Sequence, residues 1–199
     1  AKNYGWKTGK AQFDWKTLIA NKDTEIKRLN KIYQDILKNN NVDIYDGHAR
    51  FLDNNTVEVN GQKIKAKKIL IATGGKPHLP NIPGKEHMKS SDDMFHMKDL
   101  PKRILIIGGG YIGVEFAGIF SGLGSKVTLL NRRKRLLNEA FDDDIREAID
   151  HEFKTQKNMD LRLGADPVKI EKKGKDLIVH TSNGDTSKYE KSMATKGGT

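Results

Sequence analysis

Residues 102–133 read Lys-Arg-Ile-Leu-Ile-Ile-Gly-Gly-Gly-Tyr-Ile-Gly-Val-Glu-Phe-Ala-Gly-Ile-Phe-Ser-Gly-Leu-Gly-Ser-Lys-Val-Thr-Leu-Leu-Asn-Arg-Arg. The unbroken apolar run at 104–107 has the length of a strand buried on both faces, and residues 126–130 read as a second one. Between them Gly108-x-Gly110-x-x-Gly113 leaves the first strand and opens a helical stretch over residues 111–123. The order is strand, glycine turn, helix, strand. The second strand then runs into Asn131, Arg132, Arg133, Lys134 and Arg135.

Each glycine in this unit has a physical task. Gly108 makes the tight turn, Gly110 lets backbone N–H groups approach a pyrophosphate, and Gly113 brings helix and strand close together. The helix N-terminus supplies unpaired N–H groups and the positive end of its dipole, so an anion is favoured there without a side-chain cation. The unit is expected to hold a dinucleotide. The end of the second strand is where the adenosine ribose should lie; NAD sites place a carboxylate there, and NADP sites an arginine for the 2′-phosphate. No carboxylate follows Leu130 before Glu139, and a neutral Asn131 followed by four cations suits a dianionic phosphate that an Arg fork can grip. NADP(H) is the expected cofactor, with Arg132, Arg133 and Arg135 as phosphate ligands.

With 199 residues and 36% hydrophobic content the chain can bury a core, and its net charge of +10 permits an acidic partner. The lysines are spread along the chain and are not interleaved with aromatics, so no nucleic-acid partner is expected. No apolar stretch reaches the ~20 residues that span a bilayer, and no signal peptide opens the chain, so a cytoplasmic protein without membrane contact is expected. The start at Ala1, in loop-like sequence, reads as an internal fragment. There is no cysteine, which removes disulfides, thiol nucleophiles and thiolate metal sites from these residues. The six histidines have no ligand-like spacing and no metal is expected; Asp142-Asp143-Asp144 reads as a helix start whose charges complement the dipole.

Upstream, residues 14–38 carry Trp15, Leu18, Ile19, Ile26, Leu29, Ile32, Tyr33, Ile36 and Leu37 at helical spacing, an amphipathic helix whose apolar stripe should be core. Short strands are expected at 43–45, 49–52, 56–59 and 62–66, with Asn60-Gly61 as a hairpin turn. Residues 68–72 read as a further buried strand ending in Thr73-Gly74-Gly75, and the prolines after it mark a linker, with a second domain starting near Ser90. Downstream, a helix is expected at 141–156, a third parallel strand at 160–163 and an antiparallel meander from 168–172, 176–181 and 186–191. The tail from Met193 onward carries no folding signal and is expected to fray. The fold class is α/β: a Rossmann-like dinucleotide-binding domain, with parallel sheet, helices and meander, over residues 90–199. It is preceded by part of another α/β domain and a linker over 1–89.

Tyr4-Gly5-Trp6, Phe13-Asp14-Trp15, Gly47-His48-Ala49-Arg50-Phe51, Ala72-Thr73-Gly74-Gly75, Leu100-Pro101-Lys102 and the glycine-rich helix resemble the flavoprotein pyridine-nucleotide disulfide reductases, and within them the bacterial glutathione reductases. The resemblance covers nearly the whole chain. It implies a flavoenzyme, a homodimer when complete, in which NADPH reduces FAD, and the flavin opens a redox disulfide that reduces glutathione disulfide. It also implies that residues 1–89 belong to an FAD-binding domain. By position, Tyr111 is similar to the family's aromatic gate at the nicotinamide and Glu115 to its carboxylate near nicotinamide and flavin. Gly109 and Ile112 resemble dinucleotide contacts, Arg132 the first 2′-phosphate arginine, and Ala49, Thr73 and Gly74 FAD contacts. The family's second phosphate arginine falls near Asn138, so Arg133 or Arg135 must replace it. Gly113 stands where NADPH-using members often carry alanine and NAD-using members glycine. The family's redox cysteines are absent from these residues, so the family reaction needs more than this chain. The alternatives are an NAD-dependent relative such as a dihydrolipoamide dehydrogenase, and a non-catalytic nucleotide-binding module.

Overall fold

The computed structural model describes residues 12–195. Tyr4, Gly5 and Trp6, and the last four residues of the tail, lie outside the described residues. Residues 20–75 form one compact unit and the other described residues a second; α1 (Trp15–Asn39) has residues in both.

In the smaller unit β1 (Ala49–Asp53), β2 (Thr56–Val59) and β3 (Gln62–Lys65) form an antiparallel meander in that order. Its second turn is the expected two-residue Asn60-Gly61 connection, with φ of 50° and 82°, the primed turn that matches strand twist. Three expectations fail here. None of the 25 residues of α1 is buried: Trp15 of its apolar stripe packs, partly buried, against the core of the larger unit, whereas Ile26, Ile32, Tyr33 and Ile36 are exposed. Residues 43–45 form no strand, and residues 68–72 have no ladder partner among the described residues, leaving Leu70 and Ile71 at 89% and 70% exposure. A helix and a three-strand meander supply too little chain to cover both faces of another strand.

The larger unit is built on a parallel sheet. α2 (Ser91–Met94) precedes β4 (Arg103–Ile107), which is followed by α3 (Tyr111–Gly122), β5 (Lys126–Asn131), α4 (Asp143–Thr155) and β6 (Met159–Leu163). The antiparallel meander β7 (Pro167–Lys173), β8 (Asp176–Thr181) and β9 (Thr186–Tyr189) comes next, and β10 (Lys191–Ala194) closes the chain's regular structure. The parallel sheet has the order β10-β4-β5-β6. Alternation along β4 assigns its side chains to two cores: Ile104 and Ile106 pack with Phe116, Phe120 and Phe153 of the helices, whereas Leu105 and Ile107 pack with Ile170, Leu177 and Val179 of the meander. Trp15 closes the helical side, stacking on Phe120 at 6.1 Å and donating its indole N–H to the Met97 carbonyl at 2.8 Å.

The end of the chain corrects the expectation of a frayed tail. The predicted strand at 186–191 stops at Tyr189; the backbone then leaves the meander, and Met193 and Ala194 enter the parallel sheet beside β4, both at 0% exposure. Lys89 bridges to Met193 on the other side, so the short segment is held by neighbours distant in sequence. Asp142 is the N-cap of α4 and Asp143 and Asp144 fill its first turn, as expected for charges at a dipole's positive end.

Ser90 caps α2 in a reciprocal capping box: its hydroxyl accepts from the Asp93 N–H at 3.4 Å, and its own N–H donates to the Asp93 carboxylate at 2.8 Å. Ser90→Ala should cost about 1 kcal/mol in thermal or urea unfolding. The Ser90 N–H, and after it the Ser90 hydroxyl and Lys89, hold the Asp93 carboxyl below the usual carboxylate range. The stabilisation from this carboxylate is therefore complete above the ordinary aspartate pKa and disappears as pH falls through the depressed value. The protection of the Ser90 amide relative to its intrinsic exchange rate at each pH should fall over that acid window in the native chain, and an Asp93→Asn chain should lack that titration.

Candidate functional site

In this sheet β10 and β5 flank β4, and the ligand-binding end of such a parallel sheet is at the carboxyl ends of its strands. A cleft of ≈ 530 Å³ opens there. Its floor is Ile107 and the turn Gly108, Gly109 and Gly110; Ala194 and Thr195 form one side, and Asn131, Arg132, Arg133, Leu137 and Asn138 the other. Pro80, Ile82, Asp166 and Pro167 complete the lining. The glycine turn and the basic run, read as one unit in the sequence, meet in this cleft.

Three properties of the turn follow from its geometry. Gly108 has φ of 112°, and its N–H continues the ladder to the Leu130 carbonyl at 2.9 Å. A Cβ on Gly113 would lie 1.9 Å from the Gly108 carbonyl oxygen, so α3 rests directly against the turn's backbone. At Gly110 a Cβ would meet nothing within 4 Å, and its backbone faces open space. The N–H of Gly109 donates to the Asn131 side chain at 3.2 Å. Those of Gly110, Tyr111, Ile112 and Gly113 have no acceptor among the described residues. These four donors at the N-terminus of α3 are the groups available to an anion. Thr195, hidden from sequence inspection within the supposed tail, braces the turn: its hydroxyl lies 3.2 and 3.1 Å from the carbonyls of Ile107 and Gly108.

The cations differ in availability. Arg132 is exposed at the cleft and has no carboxylate partner among the described residues. Arg133 also lines the cleft but pairs with Glu139 at 2.9 Å; the backbone N–H of Glu139 and then the Arg133 guanidinium hold that carboxyl below its usual range. Arg135 is not part of the lining and pairs with Asp143 at 3.0 Å.

Tyr111 and Glu115 are one helical turn apart, so they share a face of α3; both are exposed and neither lines the cleft. Ile112 is half-buried against the helical core. Ala49, Thr73 and Gly74, in the smaller unit, are exposed, with Ala49 at the start of β1 and the other two in chain without regular structure. Residues 68–72 before them lack ladder partners among the described residues.

A second cleft, of ≈ 420 Å³, lies at the amino ends of the same strands among Arg103, Lys126, Lys157, Asp160 and Arg162. Arg103 and Arg162 are paired there, with Asp176 and Asp160. It has no glycine turn and no helix N-terminus aimed into it. Among the described residues no three His, Asp or Glu side chains gather as a metal site, and no helix is long and apolar enough to cross a membrane.

Residues 3–197 match the family model described as pyridine nucleotide-disulphide oxidoreductase. The chain is 43% identical to a glutathione reductase of Burkholderia cepacia over 99% of its own length and 43% of that protein. It is 40% identical to a mercuric reductase of Lysinibacillus sphaericus over 90% of its length and 33% of that protein. The structure of the HOCl-induced flavoprotein disulfide reductase RclA from Escherichia coli superposes with a TM-score of 0.83 at 32% identity, over 93% of this chain and 43% of that one. The chain thus spans less than half the length of these relatives.

Proposed function

The chain belongs to the pyridine nucleotide-disulphide oxidoreductase family, and from that premise we propose that residues 90–199 are the NADP(H)-binding portion of a flavoprotein disulfide reductase of the glutathione reductase type. Residues 1–89 contribute part of the FAD-binding portion and the linker. In the complete protein, a homodimer in the cytoplasm, NADPH is the reductant, FAD the intermediate carrier and glutathione disulfide the substrate. The redox cysteines must come from outside these residues, because the sequence contains none. This chain alone therefore binds the dinucleotide and does not reduce disulfides.

The observation that carries the reading is a cleft lined by the glycine turn up to Gly110, at the start of a helix whose first N–H groups have no acceptor among the described residues, and by Arg132, which has no carboxylate partner among them. The amides and the helix dipole bind the pyrophosphate; Arg132 binds the 2′-phosphate, and Arg133 joins it by leaving Glu139. Asn138 stands at the cleft where the family's second arginine falls and offers only neutral hydrogen bonds, so Arg133 takes that role. Tyr111 and Glu115 mark the nicotinamide end, where the bound cofactor supplies a hydride. Their task is to cover and orient the ring.

Gly113 favours a second reading, an NAD-using member, because a Cβ there would be 1.9 Å from the Gly108 oxygen and the alanine common in NADPH-using members has no room. Titration of the purified chain with NADPH and with NADH, followed by calorimetry or nicotinamide fluorescence, separates the two. Tighter NADPH binding that weakens with salt more steeply than NADH binding is expected. Tighter NADH binding would establish the second reading, and a folded sample that binds neither would remove both.

A further inference from the structure

We propose that Asn131 is a positioning residue for cofactor selectivity: its buried carboxamide ties the glycine turn to the loop that carries the phosphate-binding arginines. The inference rests on the NADP(H) reading above and deepens it. Asn131 is the last residue of β5 and only 8% exposed. Its Oδ1 accepts from the Gly109 N–H at 3.2 Å, and its Nδ2 donates to the carbonyls of Arg135 at 2.7 Å and Arg133 at 3.4 Å. The partners fix the orientation of the amide, since an N–H only donates and the carbonyls only accept. One side chain thus ties its own loop to the glycine turn 22 residues earlier in the chain.

The loop it holds is otherwise unfavourable. Leu137 adopts φ of 58°, a conformation that a Cβ-bearing residue avoids, and is kept there by its N–H bond to the Gly109 carbonyl at 2.6 Å. The Leu136 N–H donates to the buried Asp150 carboxylate at 3.0 Å. Arg132 and Arg133 project from the segment between the Asn131 and Leu137 anchors, so their position relative to the glycine turn depends on this bridge. Gly109 permits it: a Cβ there would lie 2.7 Å from both Asn131 Cγ and Leu136 Cδ2. At the strand end where an NAD site presents a carboxylate to the ribose, this chain turns a carboxamide inward to its own backbone. An aspartate could accept from Gly109 but would set a second acceptor against two carbonyls. A valine of similar size would leave all three groups unpaired.

The test compares dissociation constants for NADPH and NADH in the native chain, Asn131→Val and Asn131→Asp, each checked for folding by circular dichroism. NADPH binding should weaken by about tenfold or more in both variants, as expected for a lost charged contact, while NADH binding stays within about twofold. Gly109→Ala, which pushes the amide away from the other side, should lower the same selectivity ratio. The Asn131→Asp variant keeps the side-chain shape and the Gly109 bond, so it carries the test if the valine variant does not fold. A native chain that prefers NADPH, together with variants that keep its selectivity ratio or lose both dinucleotides equally, would overturn the role of Asn131 and leave the cofactor reading standing. A native chain without preference for NADPH would overturn both.

Discussion

Arg132→Met is expected to weaken NADPH binding by about 1.5–3 kcal/mol, roughly 10- to 150-fold, and to leave NADH binding nearly unchanged. The two dinucleotides differ only by the 2′-phosphate, so a side chain that contacts it alone can affect only one of them. The size of the effect follows from availability. Arg132 has no carboxylate partner to leave among the described residues, whereas Arg133 must give up Glu139 at 2.9 Å and Arg135 is held by Asp143 outside the cleft lining. The losses should therefore rank Arg132→Met above Arg133→Met, with Arg135→Met close to native. Methionine keeps much of the apolar stem, so packing is nearly conserved. Calorimetric titration of the three variants with both dinucleotides checks the ranking. Equal losses for NADPH and NADH in Arg132→Met would separate this residue from the 2′-phosphate.

The second large effect concerns stability and divides the glycines by task. Gly113→Ala places a methyl 1.9 Å from the Gly108 oxygen and 3.1 Å from the Thr195 hydroxyl, and the obstacle is backbone that cannot rotate aside. Either α3 moves away from β4 or the turn opens; each disturbs the core around Phe116 and Phe120. The expected cost is about 3 kcal/mol, lowering Tm by roughly 10 °C. Gly110→Ala is its counterpart. It has φ of −73° and an empty surround, so stability should hold, but the new methyl occupies the approach to the free amides and NADPH affinity should fall about tenfold. A thermal melt and one titration per variant suffice. A stable Gly113→Ala chain would show that the turn yields more readily than its packing indicates.

What the sequence disclosed tracks how locally each feature is encoded. β4, β5 and the turn between them are legible because a strand buried on both faces must be apolar without interruption, and the turn needs glycine at set places. β10 is not legible: Lys191-Ser-Met-Ala is short and half polar, and its burial comes from β4 and Lys89, roughly a hundred residues earlier in the chain. Residues 68–72 show the reverse error, since an apolar run guarantees a strand only when ladder partners exist beside it. The α1 stripe fails for most of its length, its periodicity real but only Trp15 packed against a core and Ile26, Ile32, Tyr33 and Ile36 exposed among the described residues. Within the cleft, the meeting of the glycine turn with Arg132 and Arg133 was foreseeable from the strand–turn–helix–strand order. The exclusion of Arg135 and the double attachment of Asn131 depend on partners that only the folded chain brings near. Asn131 showed itself in the sequence merely as a neutral residue ahead of cations.

In the proposed function the amides after Ile107 wrap a pyrophosphate with Arg132 beside them. The most direct test is an amide NMR titration of the chain with NADPH, repeated with NADH. Large shifts are expected at Gly110, Tyr111, Ile112 and Gly113 with both dinucleotides, and at Arg132 with NADPH alone. Shifts confined to the other cleft, at Lys126 and Lys157, or a glycine turn unmoved at saturating NADPH, would contradict it.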